Sequence, residues 1–415
     1  MRALPVLIVG TALFAAAPAQ ADTVCEWIGF GETIARAAAP PPDAPRTGEH
    51  DQAGTQLAIA MFEALNAIDR RYETFLGMAQ GDGTASQDAA AATAAYQVLL
   101  AHYPGQKTAL DESYNMTMLG IADAGARDKG KAIGEAAAKL ALAAGGMDHA
   151  KPQVPYRPRT SPGVWTAANL PVIPPYMATF KPWVLPSYEA VRPAPPPKLD
   201  SERWARDLAE VQTIGAKLSK ARTPDQTLMA KYRITPDMMP SLRMIADQHG
   251  RPLVQNARMF ALAEIAADDA SRATSLAKLH YNFWRPITAI RNAEDDGNAA
   301  TRPDPAWEPL IGTPNHPEYP CGHCTYAAAT ATVLKSEVGN TPPGGVRVHS
   351  RSVPNSAVQV LPSFDEWVKQ VSYSRILGGV HYRFSNDAGE EIGRKTAQMA
   401  LDKIMRPLPG KVAKR

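Results

Sequence analysis

Residues 319–335 read Tyr-Pro-Cys-Gly-His-Cys-Thr-Tyr-Ala-Ala-Ala-Thr-Ala-Thr-Val-Leu-Lys, and the rest of the chain is best understood outward from them. The Ala/Thr-rich run from Cys324 to Lys335 predicts a helix. Gly322 stands at its entrance, where a residue without a side chain lets the backbone approach a ligand closely. The first amides of a helix and its dipole favour an anion at that end. His323 is placed there as a candidate acid–base group. A lone histidine is more often structural, so the reading depends on its neighbours. Lys278 and Arg285 lie upstream; Arg375 and His381 lie downstream.

Lys278 and Arg285 fall near the end of a stretch that predicts one long helix, from about Leu253 to Trp284. A spacing of seven residues is two turns less about 20°, so both side chains should leave one face roughly 10 Å apart. Pro286 should end or kink that helix. A solvated basic face is the bland alternative. Ala277, Leu279 and Tyr281 around Lys278 make poor solvating company and shift the balance toward an anion site. Ser374-Arg375 closes a further helix at Gly378-Gly379, and His381 follows in the loop. Asp387 is a candidate to orient a histidine ring. It competes with a second role, since Asp387 and Glu390 have the spacing of a capping box for a last helix from about Asp387 to Met405. Cys321-Gly322-His323-Cys324 has a rival meaning as the redox pair of a thiol–disulfide exchanger. That reading calls for a preceding strand and a βαβ setting, whereas the flank Asn315–Pro320 reads as a loop.

Elsewhere the pattern is helical. Leu57, Met61, Ala64, Leu65, Ile68 and Tyr72 share one helical face. Helices are expected over Asp88–Tyr103, Leu110–Leu119 and Asp128–Ala144. Others should start at Asp200-Ser201, at the Thr223–Gln226 capping box, at Thr235-Pro236 and at Ser363–Glu366. Residues 151–200 hold 13 of the 37 prolines, with Trp165, Tyr176, Trp183 and Tyr188 between them. This predicts a strap lying across the helical body with its rings buried. Residues 22–50 are Ala/Pro-rich and read as a poorly ordered lead-in. The expected class is all-α: two packed helical bundles, over 22–150 and 201–415, joined by the strap, with the site in the second.

Arg2, the apolar run Leu4–Ala17 and Ala19-Gln20-Ala21 have the form of a cleaved signal peptide over residues 1–21. The expectation is a secreted or periplasmic protein with no membrane span after cleavage. A net charge of +3, from 44 Lys+Arg against 41 Asp+Glu, does not suggest a nucleic-acid or membrane-surface binder. Three cysteines in 415 residues exclude a disulfide scaffold.

Taken together, Lys278-x6-Arg285-Pro286, Pro320-Cys321-Gly322-His323 and Ser374-Arg375-x5-His381 resemble the three-part signature of the vanadium-dependent haloperoxidases and type 2 phosphatidic acid phosphatases. Met61–Asp69, Arg258–Leu262 and Asn282–Arg291 resemble the bacterial haloperoxidase-like branch. The resemblance implies that Lys278, Arg285 and Arg375 hold the equatorial oxygens of an oxyanion, with the Gly322 amide as a further donor. It implies His381 as the vanadate ligand and His323 as the acid–base residue acting on hydrogen peroxide. The implied cofactor is vanadate, and the implied substrates are peroxide and halide. In the phosphatase alternative His381 is the nucleophile toward a phosphomonoester and no cofactor is needed. A non-catalytic oxyanion binder and the thiol–disulfide exchanger complete the readings. Two positions depart from the family pattern. Cys321 stands where a serine hydroxyl usually binds the oxyanion, and a thiol is a weak, oxidisable donor unless it pairs with Cys324. The acid after the ligand histidine is commonly four residues on, whereas Asp387 is six on. His280, Trp284 and His316 lie near the motifs as further lining candidates. The sequence leaves the oligomeric state open.

Overall fold

Two helices that are buried along most of their length occupy the centre. The structure is a computed structural model that describes residues 22–39, 52–144, 147–148, 157–168, 179–248, 250–353 and 355–411. The central pair are α2 (Ala53–Ile68) and α9 (Leu253–Tyr281). On one side of them pack α1 (Thr23–Ala37), α3 (Gln87–His102), α4 (Lys107–Leu119) and α5 (Ala124–Ala144). On the other lie α11 (Gly322–Val338) and α13 (Arg383–Lys403), with α12 (Phe364–Leu377) beyond α11. Shorter helices complete the second side: α6 (Glu202–Ile214), α7 (Pro224–Tyr232), α8 (Met239–Ala246) and α10 (Pro286–Arg291). One buried apolar cluster runs from Val24 to Met405 across both sides.

Strand content is small. Met147–Asp148 (β1) pairs antiparallel with Thr179–Phe180 (β2). Pro236–Asp237 (β3), Val346–Ser350 (β4) and Gln359–Leu361 (β5) form a second antiparallel sheet in the order β3-β4-β5, with Val346 opposite Leu361. Thr235-Pro236 therefore opens a strand, not the expected helix; α8 begins three residues later.

Several expected starts are observed. Thr223 and Gln226 form the full capping box of α7. Ser201 and Ser363 accept the amides of Trp204 and Glu366 at the heads of α6 and α12. The lead-in expectation is corrected over 23–37, which is helix α1, capped by the Asp22 carboxylate on Cys25 N at 3.0 Å. Val24, Trp27, Ile28 and Ile34 are buried along one face of it, which anchors it against α3. The strap is held by α9. Asp269 accepts the amides of Trp183, Val184 and Leu185 at 2.9, 2.8 and 3.1 Å, and Asp268 accepts the Trp183 indole at 2.8 Å. Trp165 and Tyr188 are buried as expected. Tyr176 and the signal-peptide stretch 1–21 lie outside the described residues. Among the described residues no helix is long and apolar enough to cross a membrane.

Glycine sets how α13 meets α11. A Cβ on Gly389 would stand 2.3 Å from the Cys321 carbonyl oxygen, and one on Gly393 2.3 Å from that of Thr325. Real Cβ atoms do not approach so closely, so only glycine allows α13 to lie against the head of α11.

Candidate oxyanion site

The sequence-singled residues come from five different element ends. α9 stops at Tyr281, because Asn282 takes a left-handed conformation with φ 43°. Lys278 and Arg285 are therefore not on one helix face, as the spacing suggested. Lys278 sits in the last turn of α9, and Arg285 is the cap residue before α10, with Pro286 at the first helical position where its missing N–H costs nothing. Cys321 caps α11. Arg375 lies in the last turn of α12; Gly378 and Gly379 (φ 77°) then turn the chain back and deliver His381 ahead of α13.

These residues converge and are deeply buried: Lys278 is 6% exposed, Arg375 and His381 2%, and Arg285 0%. The Lys278 ammonium donates to the carbonyls of Pro317 (3.3 Å), Glu318 (2.7 Å) and Pro320. Its three protons are thus spent on the 317–320 loop. It shapes the loop that leads into Gly322 and adds its charge from behind. Arg285 Nε donates to His316 O at 3.0 Å and Nη1 to Val380 O at 2.8 Å. Nη1 also lies 3.2 Å from His381 Nε2, and Nη2 3.1 Å from His316 Nδ1. Arg375 is different: its Nε and Nη1 are buried with no acceptor.

One residue of the cluster was missed from sequence. Glu318, fully buried, accepts His381 Nδ1–H at 2.6 Å and the Tyr382 amide at 3.2 Å. This fixes the proton on Nδ1 and leaves the Nε2 lone pair toward Arg285. Asp387 does not have the role considered for it. It lies within α13, not at its cap, and pairs with Arg203 at 3.3 Å on the exposed surface. Four residues after His381 stands Ser385, whose hydroxyl is 3.5 Å from Nδ1. The signal that could have found Glu318 is an acid locked in the apolar loop Pro317-Glu318-Tyr319-Pro320 directly before the motif.

Charge dominates the chemistry. Lys278, Arg285 and Arg375 face one carboxylate, Glu318. Burial pushes the Glu318 carboxyl up to about 7, against the pull of Arg285 and Lys278. Burial lowers the two guanidiniums, to about 10 for Arg285 and about 9 for Arg375, and both stay charged at neutral pH. Burial and then Arg285 hold Lys278 and His381 well below their ordinary values. The Arg375 charge, followed by burial, takes His323 down to about 3, so its ring is neutral. His323 Nε2 donates to Ile234 O at 2.9 Å, which leaves Nδ1 as the free base. A Cβ on Gly322 would meet nothing within 4 Å, so the space before the α11 head is open.

Cys321 and Cys324 form a disulfide. In this state Cys321 has no S–H to offer an anion; its sulfur accepts the Cys324 amide at 3.3 Å instead. The setting is helical and both sulfurs are fully buried, which keeps a protein thiol away. Of the further lining candidates, His316 joins the cluster. His280 is exposed, and Trp284 is buried against Trp204, with ring centres 5.8 Å apart.

Residues 258–410, which hold every member of this cluster, match the family model described as the VCPO second helical-bundle domain. Over that stretch the chain is similar to the second helical bundle of a vanadium chloroperoxidase. A stretch of 89 residues is 34% identical to the vanadium chloroperoxidase of Curvularia inaequalis, an alignment spanning 19% of this chain and 14% of that relative. The likeness of fold extends beyond that stretch. A bacterial vanadium-dependent iodoperoxidase superposes over 93% of this chain and 97% of its own, with a TM-score of 0.74 at 20% identity. The holo form of a bacterial vanadium-dependent chloroperoxidase superposes over 88% and 94%, with a TM-score of 0.63 at 18% identity. At these identities the likeness speaks for the fold alone. The cluster itself fits a tetrahedral oxyanion: it has surplus buried positive charge, two Arg375 nitrogens without acceptors, and open space beside Gly322.

Proposed function

We propose that the protein is a vanadate-dependent haloperoxidase that oxidises halide with hydrogen peroxide. The observation that carries this reading is the buried Arg375 guanidinium, with two nitrogens unmatched, in a cluster of three basic side chains facing one carboxylate beside the His381 Nε2 lone pair. Uncompensated buried charge is costly, and a bound oxyanion offsets it. Arg375 and the Gly322 amide would hold its oxygens, with Arg285 and Lys278 adding charge. His381 would bind it through Nε2. Bound vanadate would supply the Lewis acidity that activates peroxide toward halide.

The remaining work falls to the chain. Glu318 keeps the His381 proton on Nδ1, so Nε2 stays available. Lys278 holds the 317–320 loop and with it the position of Gly322. His323, neutral and unprotonated at Nδ1, takes a proton from entering peroxide and returns it to the departing oxygen. Fixed donors in a dry site need no reorganisation as charge develops.

The test is a paired assay on the whole chain. Iodide, bromide and chloride are supplied with peroxide, with and without orthovanadate; p-nitrophenyl phosphate is hydrolysed in parallel. The reading expects vanadate-dependent halide oxidation that orthophosphate inhibits. Phosphate ester hydrolysis that vanadate inhibits, with no halide oxidation, would replace it by the phosphatase reading at the same residues. Export belongs to the proposal too, on the strength of the 1–21 leader pattern and of a disulfide, which persists in oxidising compartments. N-terminal sequencing of exported protein should begin near Asp22.

A further inference from the structure

Two cysteines flank His323 and Gly322, beside which the space is open. Cys321 and Cys324 have Cα atoms 5.5 Å apart, a separation at which a disulfide forms without backbone movement. Gly322 and His323 lie between them and are half-buried, whereas both sulfurs are fully buried. With both sulfurs buried, only a small oxidant reaches them. The pair also has a partner in each redox state. Closed, Cys321 Sγ accepts the Cys324 amide at 3.3 Å. Cys324 Sγ lies 3.3 Å from Asn386 Oδ1 of α13, an acceptor to which a thiol S–H donates and a disulfide sulfur does not. The same geometry thus serves both redox states: the disulfide staples the α11 head to itself, and a reduced Cys324 has Asn386 of α13 as acceptor.

We propose that Cys321 and Cys324 are a peroxide-operated pair: hydrogen peroxide closes the disulfide, and closure tightens the grip of the α11 head on its oxyanion. The proposal rests on the reading that peroxide is admitted to this site. The chemistry balances. The Cys321 sulfur, at a helix N-terminus that favours the thiolate, attacks one peroxide oxygen. An S–O bond forms, the O–O bond breaks, and the departing hydroxide takes the thiol proton to leave as water. The Cys324 sulfur then attacks the sulfenic sulfur. The S–S bond forms, the S–O bond breaks, and hydroxide leaves with the second proton as water. Two thiols and one peroxide give one disulfide and two waters; the sulfurs lose the two electrons that peroxide gains. Closure stops Cys321 from climbing further up the oxidation ladder. It also fixes the first turn of α11, whose amides have no acceptor within the helix. Donors ordered before binding hold a ligand more tightly.

The experiment uses the full chain and inorganic phosphate as probe. Protein is reduced with dithiothreitol and desalted, and half is treated with one equivalent of hydrogen peroxide. Mass spectrometry of the peptide holding residues 321–324 reads the redox state, and calorimetry reads phosphate affinity. The expected results are loss of two hydrogens from that peptide, Cys25 left as the free thiol, and a roughly three- to tenfold tighter phosphate affinity in the oxidised half, the scale of ordering one or two groups. Cys324→Ala and, independently, Cys324→Ser should stay at the weaker affinity and gain oxygen on Cys321 instead. His381→Ala should still close the pair. Equal affinities in the two halves, or two thiols that survive peroxide, overturn the proposal and leave the oxyanion site standing. Phosphate binding in neither half removes the site and the proposal together. An affinity shift without vanadate-dependent halide oxidation supports the pair and removes only the haloperoxidase reading.

Discussion

Removing Glu318 should separate what holds His381 from what charges the site. The carboxylate is fully buried and receives His381 Nδ1–H at 2.6 Å. In Glu318→Ala that N–H loses its acceptor. A buried donor left unsatisfied costs about 1–3 kcal/mol. The ring can recover the loss by moving its proton to Nε2 or by turning, and either removes the lone pair that an oxyanion needs. Orthophosphate affinity should therefore fall by roughly 5- to 150-fold, the equivalent of that penalty. Glu318→Gln keeps an acceptor oxygen for Nδ1–H and for the Tyr382 amide, so it should recover most of the affinity. Calorimetry with orthophosphate reads both variants, with circular dichroism as the check on folding. Wild-type affinity in Glu318→Ala, or an equal loss in Glu318→Gln with the fold intact, would refute the reasoning. The same pair tests linkage. The Glu318 carboxyl stands at 4.5 unfolded and about 7 folded, so between those values the native state holds more protons. Stability of the anion-free protein should fall as pH rises from 4.5 through 7, by about 3 kcal/mol at most for this group. Denaturant titrations across that range should show the slope in the wild type and its loss in Glu318→Gln.

The other expectations follow from the same geometry. Arg375→Met replaces an unmatched buried charge by an apolar chain of similar length. It should raise the melting temperature of the anion-free protein while weakening phosphate binding by tenfold or more, on the order of 1.4 kcal/mol. Gly322→Ala adds a methyl that meets nothing within 4 Å, so stability should hold within about 0.5 kcal/mol while anion affinity falls. Gly389→Ala sets a helix-propensity gain of about 1 kcal/mol against a Cβ 2.3 Å from the Cys321 carbonyl oxygen, and overpacking at about 1–3 kcal/mol should win. Denaturant melts would read the net loss, and phosphate calorimetry the disturbed α11 head.

What was legible in the sequence is the set of residues with chemistry. Lys278, Arg285, Gly322, His323, Arg375 and His381 were all singled out, and the fold brings them together from separate element ends. What was not legible is how they are held. Lys278 and Arg285 looked like one helix face because their spacing fits two turns. A single left-handed residue, Asn282, ends the helix between them, and the sequence carries only a weak signal for it. Glu318 escaped because its partner lies 63 residues away, a pairing no local pattern encodes. Asp387 drew notice as an acid shortly after His381, although it stands six residues on where four is usual. Helix α13 starts at Arg383, however, and turns that side chain outward to Arg203. Helix α1 was hidden by averaging: the Ala/Pro-rich composition of 22–50 masked the helical spacing of Val24, Trp27, Ile28 and Ile34. Cys321 in place of serine was plain in the sequence, while its bond to Cys324 depended on the turn between them.

The most direct test of the oxyanion site is a crystal structure of the protein soaked in orthovanadate. The account predicts vanadium bonded to His381 Nε2, with oxygens received by Arg375 Nε and Nη1 and by the Gly322 amide. Vanadate bound elsewhere, or a His381 that keeps Nε2 on Arg285 at saturating vanadate, would contradict it.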